Sequence, residues 1–146
     1  MMAKTIYLEF RGYWRDVDNQ AVPNEAGIYL VYTCTFNREQ NTVALRRLIY
    51  VGEAAKVRDR IQGHEKRPKW KEYLRPGEEL CYSFAPIDAP DRQRAEAALI
   101  FHHKPPVNDE YTNSFPFDDT TVSSSGRCAF IAPLFTVRRT VPVGSR

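Results

Sequence analysis

Residues 27–32 read Gly-Ile-Tyr-Leu-Val-Tyr and residues 48–52 read Leu-Ile-Tyr-Val-Gly. Each segment sets a tyrosine in a β-branched or aliphatic run beside a glycine, which is the composition of a strand interior whose aromatic alternates with core residues. Paired antiparallel, the two strands put Tyr29 and Tyr50 on one face of a small sheet. The segment between them, Phe36 to Leu45, is polar and long enough to hold structure of its own, so the spacing does not predict a simple hairpin.

Beyond Tyr50, Arg60 stands ten residues on with the apolar Ile61 behind it, and His64 follows four residues after Arg60. A helical run then carries Glu96 with Ala97, Ala98, Leu99 and Ile100, and Pro105, Pro106, Val107 and Asn108 close the stretch. With Pro23 four residues ahead of Gly27, this order of elements resembles the GIY-YIG nuclease family, named for tripeptides that here read Gly27-Ile28-Tyr29 and Tyr50-Val51-Gly52. The resemblance implies a metal-dependent endonuclease that hydrolyses phosphodiester bonds in DNA, with RNA left open as a target. It implies Tyr29, Tyr50, Arg60, His64, Glu96 and Asn108 as catalytic residues. Tyr29 would accept a proton from the attacking water, Tyr50 would orient water or phosphate, His64 would relay the proton, and Asn108 would hold neighbouring groups in place.

Those residue types suit the chemistry. Phosphodiester hydrolysis needs an activated water, stabilisation of charge on the phosphoryl oxygens and help for the leaving oxygen, and a divalent cation supplies more than one of these. By resemblance Glu96 is the metal ligand, and Mg²⁺ or Mn²⁺ suits a site with one protein carboxylate and several waters. Arg60 is the electrostatic clamp, because its fork of donors matches phosphate and stays charged at any working pH. One departure stands out: many relatives carry a cation three residues after the second tyrosine, where this chain has Glu53.

The 146 residues amount to one domain, 1–146, with 23–108 as the nuclease-like core and 1–22 and 109–146 as additions to it. A hydrophobic fraction of 42% with 27% charged residues is that of a soluble globular chain. There is no apolar run of membrane-spanning length, and Met1 to Tyr7 lacks the apolar stretch of a secretion signal, so a cytoplasmic protein is expected. Cys34, Cys81 and Cys128 are odd in number and widely spaced, which suits reduced thiols. The net charge is only +3, yet eight basic residues against three acids fall between Lys56 and Arg75. Within that cluster Lys56, Arg58, Lys66, Arg67, Lys69 and Lys71 are the candidate nucleic-acid contacts, and binding through them would weaken steeply with salt.

The remaining pattern is α+β: a small mixed or antiparallel central sheet flanked by helices, with an extra N-terminal strand and a C-terminal strand or hairpin. Residues 5–10 read as an added edge strand or lid, 16–24 as a loop, 54–64 and 66–74 as helices, and 79–87 as a strand with Leu80, Tyr82 and Phe84 on one face. Asp88 or Asp91 caps a third helix, whose stripe is Ala95, Ala98, Leu99 and His102. Residues 109–127 read as a long loop, followed by strands at 128–131 and 134–137. Two functional readings follow: the endonuclease, as a homodimer if one site must cut both strands, and a non-catalytic nucleic-acid-binding domain that keeps the nuclease fold.

Overall fold

A computed structural model of the chain describes residues 2–140. Six strands, β1 (Lys4–Arg15), β2 (Gly27–Asn37), β3 (Thr42–Ala54), β4 (Glu79–Pro86), β5 (Thr120–Gly126) and β6 (Leu134–Val137), form one sheet in the order β3-β2-β4-β1-β5-β6. All neighbours pair antiparallel except β1 and β5, so the sheet is mixed. The helices are α1 (Val57–Gln62), α2 (Arg67–Lys71) and α3 (Asp91–His103), with a 3-10 turn at Asp16–Ala21. No helix among the described residues is long and apolar enough to cross a membrane.

Two-residue alternation sorts the strands onto two cores. Ile28, Leu30 and Tyr32 of β2 join Ile6, Leu8 and Phe10 of β1 under Ala95, Ala98 and Leu99 of α3. Tyr29 and Val31 face the other way, with Leu80, Tyr82 and Phe84 of β4, against Val57 and Ile61 of α1 and Trp70 of α2. The register of β2 on β3 slips at Ile49, and this bulge leaves Ile49 and Tyr50 in the same core.

Several sequence expectations are corrected. The inter-motif segment is not separate structure: β2 and β3 run on as one long hairpin, pairing from Gly27 with Ala54 to Asn37 with Thr42. Cross-strand hydrogen bonds satisfy polar residues there as well as apolar ones, which a hydropathy reading misses. The N-terminal strand is interior, lying between β4 and β5. Residues 120–126, read as loop for their serines and threonines, are a strand that places Thr120, Val122 and Ser124 inward. Cys128 to Ile131 is a turn with Phe130 at φ 65°, whereas 134–137 is β6 as expected. The first helix is shorter than read, because β3 extends to Ala54. Neither Asp88 nor Asp91 caps α3: Pro90 holds the cap position without a side-chain hydrogen bond, and the Asp91 carboxylate pairs with Lys4 instead. His102 is exposed and stacks on Phe135, so it is not part of the buried stripe.

Candidate active site

Tyr29 sits in the middle of β2, opposite Gly52 of β3, and its ring lies over that glycine. A Cβ at Gly52 would collide with the ring and hydroxyl of Tyr29, and one at Gly27 would collide with Ala85 and Phe84 of β4. The two glycines are thus required by close approach. Tyr50 lies diagonally across the pair, with the two phenol rings 6.2 Å apart.

The end of α1 brings His64 against both rings, 5.1 Å from that of Tyr50 and 6.3 Å from that of Tyr29, with Trp70 of α2 4.7 Å behind it. His64 Nδ1 accepts a hydrogen bond from the Lys66 amide at 3.0 Å, so Nε2 carries the proton of the neutral ring. That Nε2 is sealed from solvent and without a partner among the described residues. Burial, helped by the nearby Arg60 charge, pushes the imidazole pKa down to about 4, which keeps the ring neutral at physiological pH.

Arg60, on the same helix, reaches outward. Its guanidinium is held by both oxygens of Glu65 at 2.7 and 3.0 Å. Glu96, one turn into α3, approaches from the other side. Burial lifts its carboxyl pKa to about 8, the charges of Glu53 and Glu110 add to the lift, and Arg60 opposes it. Tyr50, Arg60, Glu96 and Asn108 all line one small, partly open pocket of about 100 Å³, together with Glu65, Lys66, Asp109 and Glu110. Four of the six residues that the resemblance implies as catalytic thus line one pocket.

Tyr29 and His64 form the wall behind Tyr50 and do not line the cavity. Tyr29 is 1% exposed, and burial first, then the Tyr50 phenol, hold its hydroxyl protonated well above the usual range despite Arg60. The proton-accepting role that the resemblance implies for Tyr29 thus needs more positive charge than these residues supply. The Tyr50 phenol is likewise pushed up, to about 12, by burial and by Glu96. Asn108 is a positioning group: its Nδ2 donates to the Val51 carbonyl and its Oδ1 accepts from the Val51 amide, each at 2.9 Å.

The basic cluster is only partly free. Arg67 is corrected from nucleic-acid contact to structural clasp, since it donates to Asp16, the Tyr82 hydroxyl and the Ile61 carbonyl. Arg58 donates to the Val22 carbonyl, and Lys66 pairs with Asp109 at 2.9 Å. Lys56, Lys69 and Lys71 are exposed and engage no ion pair among the described residues. Glu53 stands beside Arg92 at 2.5 Å, so a cation does sit next to the anomalous acid, supplied by α3. Sequence reasoning missed Arg92, Glu65 and Glu110; the one available signal was Arg92 standing four residues before Glu96 on a helix. Compared with protein-family models, curated proteins and solved structures, the chain matches none.

Proposed function

We propose that this chain is a metal-dependent endonuclease of the GIY-YIG type. The observation that carries the reading is that Tyr50, Arg60, Glu96 and Asn108, drawn from four separate segments, line a single small pocket.

The donor set fits a hydrated hard cation. Among the described residues no three His, Cys, Asp or Glu side chains gather as a metal cage, so a cation held here would take Glu96 as its protein ligand and fill its other positions mostly with water. This is the habit of Mg²⁺ and Mn²⁺. A partly buried carboxyl crowded by other acids is also one that a divalent charge would relieve. Such an ion supplies Lewis-acid polarisation of a phosphoryl oxygen when bound. The chain's own residues do the rest: Arg60 exchanges Glu65 for the phosphate oxygens, Tyr50 donates its phenolic proton as a hydrogen bond to an oxygen in the cavity, and Asn108 holds β3 in register beside it. His64 and Trp70 keep water from the back of the phenols.

Purified protein is incubated with supercoiled plasmid and with single-stranded and duplex oligonucleotides of DNA and RNA, in Mg²⁺ or Mn²⁺. Wild type should nick or cut at least one substrate, EDTA should stop it, and Glu96→Gln and Arg60→Ala should lower the rate by about 10²-fold or more. Equal inactivity of wild type and Glu96→Gln on all substrates defeats the reading. The clasp of Arg60 by Glu65 favours a second one, a non-catalytic nucleic-acid-binding domain. That reading expects salt-sensitive binding, weakened by charge reversal at Lys56, Lys69 and Lys71, with no metal-dependent cleavage.

A further inference from the structure

We infer that the cavity between the N-terminal residues, the first turn of α3 and Phe117 binds a small monocarboxylate with an apolar body. It has a volume of about 400 Å³, within the size range of small-molecule sites. None of its lining residues lines the cavity around Glu96, so the inference stands apart from the nuclease reading.

Its floor is Arg94, a residue that the proposed chemistry leaves unused. Arg94 is 6% exposed, yet no carboxylate pairs with it among the described residues. Its Nε donates to the Thr120 hydroxyl, and Nη2 is shared by the carbonyls of Met2, Asp118 and Asp119. Nη1 makes no hydrogen bond among the described residues, and Arg94 is one of the residues that line the cavity. A buried guanidinium held among the described residues only by neutral acceptors is costly without an anion, and the space beside it is the cavity that Arg94 lines.

The walls define the rest of the ligand. Met2, Ala3, Pro90 and Phe117 are apolar, and Phe117 is fixed by Phe115 at a ring distance of 5.5 Å. The other two charges that line the space cancel, because Lys4 Nζ lies 2.6 Å from the Asp91 carboxylate. One unpaired positive charge under apolar walls suits a single carboxylate rather than a phosphate dianion.

The full chain, labelled with ¹⁵N, is titrated with hexanoate and, in parallel, with the neutral hexanamide. Hexanoate should give saturable shifts at Arg94 Nε–H and at the amides of Lys4 and Phe117, with hexanamide at least about tenfold weaker. Arg94→Met should abolish binding, but it also removes the bonds to Met2, Asp118 and Asp119. Ala3→Trp fills the space without touching those bonds and should abolish binding in a folded protein. Absence of saturable shifts with hexanoate, equal binding of hexanamide, or unchanged binding by Ala3→Trp overturns the inference.

Discussion

Glu96 is partly buried beside other acids, and the sign of its titration makes the arrangement testable without any assay of cleavage. Its carboxyl pKa rises from 4.5 to about 8 on folding, so between those values the folded chain keeps a proton that the unfolded chain has lost. Stability therefore falls as pH rises through that window and is lowest above pH 8. His64 runs the other way, since its folded value near 4 lies below its ordinary 6.5 and stability is gained as pH rises between the two. The difference between wild type and Glu96→Gln isolates the glutamate. We expect Glu96→Gln to gain on the order of 3 kcal/mol on wild type between pH 4.5 and 8.5, read by chemical denaturation at each pH. Mg²⁺ should restore wild type at high pH and leave Glu96→Gln unmoved. Parallel pH profiles for the two proteins would show that Glu96 is not buried among acids. Arg60, Glu96 and Asn108 were legible in the sequence because they stand at the positions the resemblance names. The protonated state of Tyr29, the clasp of Arg60 by Glu65 and the pairing of Glu53 with Arg92 were not, since each depends on which distant charges the fold brings near.

At the level of elements, the edge of β3 shows how the site is framed. Beyond its pairing with β2 the strand has a free side, and there Val107 and Asn108 act as a short surrogate strand. The Val107 amide donates to the Ile49 carbonyl at 3.0 Å, and the Asn108 side chain occupies both backbone groups of Val51. This fixes Tyr50 between two anchored neighbours and carries Asp109 and Glu110 to the cavity. Asn108→Ala strips two hydrogen bonds from a buried backbone, so it should cost about 2–3 kcal/mol in urea unfolding. It should also speed hydrogen exchange at the Val51 amide. Exchange at Val51 no faster than in wild type would show that the clamp does not hold the strand. The tyrosine-bearing strands and α3 could be read from apolar periodicity, but β5 could not. Its serines and threonines follow no hydrophobic pattern, and it is held as a strand by its partners: β1, parallel over seven residue pairs, and β6, antiparallel over four.

For the whole molecule, the division into a core of 23–108 and flanking additions meets a physical obstacle. β1 fills the gap between β4 and β5, and Ile6, Leu8 and Phe10 are at most 4% exposed in the core that α3 covers. Asp16, just beyond β1, accepts hydrogen bonds from Arg67 and from the Tyr82 hydroxyl, which tie the opposite core to the same segment. On the other flank, Val122, Phe135 and Val137 are buried in the α3 core. Each of these six apolar side chains contributes about 1.5–3 kcal/mol by burial. Their joint loss rivals the about 5–15 kcal/mol that holds a domain of this size together. A fragment of residues 23–108 should therefore give a poorly dispersed proton–nitrogen spectrum and no cooperative thermal transition, whereas residues 2–140 should show both dispersion and a single transition. A folded 23–108 fragment would mean that β4 tolerates an open edge and that the cavity around Glu96 stands without β1. In that case the flanking strands serve something other than the stability of the site.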